Sequence, residues 1–217
     1  MKPIIITGAY GVGKSEFATQ WALQHAPCVL ADFDIINPYF RPREETDWLA
    51  TQGVTIVGSM IKHHVNQDLP AFSGDIRGVI AKGLPLIIDC AGSENGLKPL
   101  ATFLDVLEGS DVWLVVNANR PESFFDQIEP MIALFESRSA LTITGLVHNT
   151  HLLDQTDPPM ILKAQAALER EAQRLGLPIV MTMVDAQLGL SPTQFNNPVL
   201  MFDRLILRSD WMKGNTL

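Results

Sequence analysis

At 217 residues the chain is long enough for one domain with a full hydrophobic core, and no Ser/Gly-rich linker or charge run divides it. Hydrophobic residues make up 47% and charged residues 18%, which excludes the disordered regime. The 24 acidic and 16 basic side chains give a net charge of -8, and without a Lys/Arg cluster this excludes sequence-wide binding to nucleic acid.

The first predicted element is a strand over 3–7, built on Ile4-Ile5-Ile6. Thr7 and Gly8 cut the run short, so it is no signal h-region, and nowhere does an apolar run reach the eighteen or so residues of a membrane span. A cytoplasmic chain with no membrane partner is expected.

Directly behind this strand stands Gly8-Ala9-Tyr10-Gly11-Val12-Gly13-Lys14-Ser15, the G-x-x-x-x-G-K-S spacing of a P-loop. Gly8, Gly11 and Gly13 free the backbone to turn sharply, so that successive N–H groups point into one concavity at a helix N-terminus. Such a concavity favours a polyphosphate. Lys14 is placed to reach the β and γ phosphates and Ser15 to hold Mg²⁺. The stretch SEFATQWALQH supplies the helix, with Phe17, Trp21 and Leu23 at helical spacing. Strand, glycine loop and helix in that order favour a nucleotide site over a glycine-rich turn that binds nothing.

Further strands are expected at about 28–32, 54–58, 85–89, 112–117, 142–148 and 179–183, with helical patterns between most of them. That alternation predicts an α/β parallel sheet. The longer helices are expected at about 121–136 and 159–174, the second starting behind Asp157-Pro158-Pro159 and stopped by Gly176-Leu177-Pro178. Cys28 and Cys90 sit within apolar runs and read as buried reduced thiols.

In parallel sheets ligands bind at the carboxyl ends of the strands, so the polar residues just past each apolar run matter most. In order these are Gly8 to Ser15, Asp32-Phe33-Asp34, Asp89 with Gly92, Asn117 with Asn119, and Asn149. The run PLIIDCAG has the form of a Walker B strand that delivers Asp89 towards Mg²⁺, with Gly92 permitting a mobile loop beside the γ-phosphate. The period of two in Asp32-Phe33-Asp34 puts both carboxylates on one side of an extended chain, where like charges invite a cation.

His63-His64 point apart in either regular structure and do not read as metal ligands. Asp126 and Glu129 read as the solvated face of a helix. The C-terminal stretch VLMFDRLILRSDWM has apolar residues at helical spacing and is expected to be a last helix packed on the sheet.

TGAYGVGKSEF, DFDIINPYFRPRE, IIDCAG and GLVHNTHLL together resemble the MinD/ParA/CobQ-like P-loop ATPases, and more narrowly a bacterial ATP-binding branch of that group. The resemblance covers residues 1 to about 183. It implies a three-layer P-loop NTPase fold with a mostly parallel sheet of about seven strands flanked by helices. It also implies an ATP and Mg²⁺ site in which Gly8, Ala9, Tyr10, Gly11, Val12, Gly13, Lys14, Ser15 and Glu16 hold the nucleotide, and Asn149 stands at a strand end on the right edge to touch the base. Ser15, Asp32 and Asp89 surround the metal; Asp34 takes the place of the water-activating switch aspartate, with Lys14 as the other catalytic group.

Dimerising members carry an early lysine where this chain has Ala9, so a homodimer stays open. Two functions follow: a nucleotide switch with slow ATP hydrolysis that a protein partner reads, or an ATP-dependent small-molecule kinase or ligase. The segment Arg41-Pro42-Arg43 is the candidate for an arginine lid. Asn149 is followed by Thr150, His151 and Leu152 rather than by the lysine and aspartate of a guanine-specific N-K-x-D, which predicts adenine.

Overall fold

Why the apolar runs are continuous is explained by side-chain alternation between two covered faces. The computed structural model describes residues 2–33, 42–58, 76–92, 97 and 100–207. In it Ile5 joins one buried layer, while Ile4 and Ile6 join the layer on the opposite face.

Eight strands form one sheet: β1 (Ile4–Thr7), β2 (Cys28–Asp32), β3 (Val54–Gly58), β4 (Leu86–Asp89), β5 (Asp111–Val116), β6 (Gly145–His148), β7 (Ile179–Asp185) and β8 (Val199–Phe202). Their order is β3-β2-β4-β1-β5-β6-β7-β8, and every pairing is parallel. The strand β1 therefore lies between β4 and β5, where the chain, having built outward to β3, returns and crosses to the other half. This is the switch point at which α/β sheets bind ligands.

Helices α1 (Lys14–Gln24) and α2 (Thr46–Thr51) contribute Phe17, Ala18, Ala22 and Leu49 to one layer. The other layer is covered by α4 (Phe125–Ser139) and α5 (Pro158–Leu175), through Ile128, Phe135, Leu168 and Ala172, with Leu107 of the short α3 (Leu104–Leu107). Each of the buried Phe, Leu and Ile side chains among these is worth about 1.5–3 kcal/mol relative to exposure.

Asp157 caps α5 by accepting from Met160 N at 2.8 Å, and Gly176 ends it. The helix expected from 121 begins instead at Phe125, because Pro121–Ser123 form a separate 3-10 turn. Both cysteines are buried and outside any disulfide, and burial pushes the Cys28 thiol up to about 11. Among the described residues no helix is long and apolar enough to cross a membrane.

The sheet of about seven strands flanked by helices is observed, with eight strands. One expectation needs correction: the eighth strand is the start of the stretch read as a C-terminal helix. The reason is tertiary: Val199–Phe202 pair in parallel with the edge of β7. A short apolar run cannot be told from a helix segment by periodicity. Residues 208–217 lie outside the described residues, as do Asp34, Arg41, His63, His64 and the side chain of Arg43.

Candidate functional site

The chain leaves β1 at Thr7 and turns through Gly8–Gly13 into α1. Gly13 is the residue that makes the turn possible. It takes φ 87° and ψ 24°, and a Cβ there would stand 2.3 Å from Asn149 Nδ2. Val12 is anchored in the core and Tyr10 projects to solvent. No side chain caps α1, so its first N–H groups are open to an anion at the positive end of the helix dipole. At that end Lys14 is only 6% exposed, and Ser15 is half-buried with its carbonyl accepting from Thr19 Oγ1 at 2.8 Å.

Beside this loop the sheet brings two carboxylates together. Asp89 is in register with Ile6 of β1 on one side and with Asp32 of β2 on the other. Adjacent strands lie about 4.8 Å apart, and Asp32 and Asp89 are 2% and 0% exposed. Both follow by two residues a side chain, Leu30 or Ile87, that packs in the layer under α1, so both are placed on the face where α1 begins. Two carboxylates and the Ser15 hydroxyl form a set of hard oxygen donors, a chemistry that fits Mg²⁺. Past Asp89 the chain presses on the loop itself: a Cβ on Gly92 would stand 1.7 Å from Gly8 O and 2.7 Å from Gly8 C. Only glycine permits that approach.

On the opposite flank the loop is held by amides. Asn149, just beyond β6, donates from Nδ2 to Val12 O at 2.8 Å. The side chain expected at the base is thus engaged with the phosphate loop's own backbone. Asn117, fully buried at the end of β5, accepts from Asn119 N at 2.9 Å and donates to His151 O at 3.2 Å, while Ala118 N donates to Thr150 Oγ1 at 3.0 Å. These bonds tie the loops after β5 and β6 together. Behind them His148 Nδ1 pairs with Gln165 Oε1 at 2.7 Å, and Thr182 and Asn197 complete the network. Burial drives the His148 pKa down to about 4, against the Gln165 hydrogen bond and the Glu169 charge that both raise it.

Glu16, expected among the nucleotide contacts, uses its carboxylate on the chain itself. It accepts from Ile206 N at 2.8 Å, Leu207 N at 2.9 Å and Gln20 Nε2 at 2.9 Å, which docks the segment after β8 onto the first turn of α1. One residue escaped sequence reasoning altogether. Arg120, three residues past Asn117, lies with Nε 3.6 Å from the place of a Cβ on Gly11. The available signal was its position just after a strand end on the ligand-binding edge.

A central parallel strand, a glycine loop, a helix start and an acidic neighbouring strand end define an α/β fold of the P-loop nucleoside-triphosphatase class. Solved structures agree. FtsY from Mycoplasma mycoides aligns with a TM-score of 0.60 at 19% identity, over 85% of this chain and 61% of that one. FtsY from Thermotoga maritima gives 0.56 at 23%, over 84% and 61%. The 54 kDa signal recognition particle protein of Aeropyrum pernix, in complex with GDP, gives 0.51 at 18%, over 82% and 40%. At such identities the likeness shows the fold alone, and the chain spans about three fifths of the length of these FtsY proteins. No family model and no curated sequence matches the chain.

Proposed function

We propose that this chain is a Mg²⁺-dependent ATP-binding switch of the MinD/ParA/CobQ-like kind, with slow intrinsic hydrolysis. The observation that carries the reading is the Gly8–Ser15 loop opening onto α1 beside the register pair Asp32 and Asp89. Lys14 and the first N–H groups of α1 hold the polyphosphate; Ser15, Asp32 and Asp89 hold the metal. A Mg²⁺ ion held by these residues would supply electrostatic neutralisation of the phosphate charge. Asp34, two residues past Asp32 in the sequence, would orient the attacking water.

The contact between Gly92 and Gly8 supports a switch. A segment that follows Asp89 and rests on the phosphate loop is displaced when a γ-phosphate fills the loop, and a protein partner reads the displaced segment. Adenine is favoured because no carboxylate follows Asn149 in N-K-x-D register, although a neighbour of the same fold was solved with GDP.

Binding of a fluorescent ATP analogue tests the site. Lys14→Ala should weaken it by more than about 100-fold, in line with the 2–5 kcal/mol lost when one partner of a buried charge pair is removed. Unchanged affinity removes the reading. Stronger displacement by GTP than by ATP overturns adenine, and ATP turnover without any added acceptor separates the switch from a kinase or ligase.

A further inference from the structure

We propose that Arg120 is a phosphate-binding residue, a guanidinium delivered by the loop after β5 onto the nucleotide in the Gly8–Ser15 cradle; the inference rests on that cradle being a nucleotide site. The backbone under Arg120 is fixed. Its N–H donates to Asn117 O at 3.0 Å, its carbonyl accepts from Ser123 N at 2.9 Å, and Asn117 is itself buried and tied to the loop after β6. The side chain leaves this base and runs along the phosphate loop: Nε, Cζ and Cδ lie 3.6, 3.8 and 4.0 Å from the place of a Cβ on Gly11.

The second observation is electrostatic. Arg120 Nε is buried, yet finds no hydrogen-bond acceptor among the described residues, and none of the ion pairs among those residues involves Arg120. A buried donor without an acceptor costs about 1–3 kcal/mol, more when the group is charged. That cost is relieved when a ligand supplies acceptor oxygens, and Gly11 stands on the stretch of loop whose N–H groups face phosphates. Guanidinium suits the task, since its planar fork presents two parallel N–H donors to phosphate oxygens and its charge persists at every physiological pH. Lys14 enters from the helix start and Arg120 from across Gly11, so the phosphates lie between two cations that come from different elements.

The test titrates adenosine, ADP and a non-hydrolysable ATP analogue, each with Mg²⁺, by competition against a fluorescent nucleotide. It compares the parent protein with Arg120→Gln, Arg120→Lys and Lys14→Ala. Glutamine keeps the Cβ–Cγ stem and a polar end and removes the charge. Arg120→Gln should lose about tenfold or more on ADP and the ATP analogue, about 1.4 kcal/mol, and less than about twofold on adenosine. Arg120→Lys should recover part of the loss, and thermal unfolding of both variants should match the parent. Equal affinity of Arg120→Gln and parent for both phosphorylated ligands overturns the inference, as does an equal loss on adenosine, which marks damage to the pocket. If Lys14→Ala binds as well as the parent, the nucleotide site itself falls and Arg120 with it; if Lys14→Ala fails and Arg120→Gln does not, only Arg120 is rejected.

Discussion

The phosphate loop is gripped on two flanks by opposite means. On the side of β5 and β6, directional hydrogen bonds hold it: Asn149 reaches Val12, and Asn117 locks the neighbouring loops to each other. On the side of β4 the backbone of Gly92 stands directly against that of Gly8. The amide flank fixes where the loop sits, because each bond has a preferred length and angle. The glycine flank is a close backbone approach with no directional bond between the two glycines. Under the proposed switch, the amide flank would hold the phosphate in place and the glycine flank would carry its presence to the segment after Asp89.

The largest effect should come from breaking the glycine flank. In Gly92→Ala a methyl group would have to occupy space 1.7 Å from Gly8 O. Neither partner is a flexible side chain, so the backbone itself must shift, and overpacking of this sort typically costs 1–3 kcal/mol and occasionally more. Nucleotide binding should be lost outright, while the far strands β6 to β8 keep their hydrogen-exchange protection. Retained binding would show that the segment after Asp89 moves clear of the loop at little cost.

How much of this was readable beforehand differs between the flanks. The strands were, because β1, β2, β4 and β6 are covered on both faces and leave unbroken apolar runs. Each of Asp32 and Asp89 could be placed at a strand end, but their standing side by side depends on β2 pairing with β4 rather than β1, which chain order does not reveal. The partner of Asn149 lies 137 residues away, and nothing in local spacing connects them. Glu16 likewise finds its partners in Ile206 and Leu207, at the far end of the described chain. β8 was misread because four apolar residues carry too little pattern to distinguish strand from helix.

The next effect probes the amide flank from behind, through acid. His148 directly precedes Asn149, and its pKa is held near 4 in the fold against an ordinary 6.5. Between those values the unfolded chain carries a proton that the folded chain refuses, so acid favours unfolding. The contribution is complete above about pH 6.5 and is lost as the pH falls towards 4, for a total of about 3 kcal/mol. Urea midpoints measured from pH 7.5 down to pH 4 should fall accordingly. His148→Asn, whose amide can still donate to Gln165, should flatten that part of the profile. An unchanged profile would place the acid sensitivity elsewhere.

The smallest effect is expected at Asn149 itself. Asn149→Ala removes one hydrogen bond of 2.8 Å and leaves Val12 O without that donor. A buried acceptor so abandoned costs about 1–3 kcal/mol, but the space vacated by the amide is polar and adjoins the loop, so a water can take up part of the loss. Gly13 meanwhile keeps its left-handed conformation, which belongs to the backbone and does not depend on the amide. The protein should therefore fold, unfold at slightly lower urea, and bind nucleotide less than about tenfold more weakly, equivalent to no more than about 1.4 kcal/mol. Asn149→Asp should be worse than Asn149→Ala, because it sets a carboxylate against a carbonyl oxygen beside bound phosphates. The order of the two variants is the informative result: if aspartate is tolerated as well as alanine, the amide is only filling space, and the loop is positioned by Val12 in the core rather than by the bond across to β6.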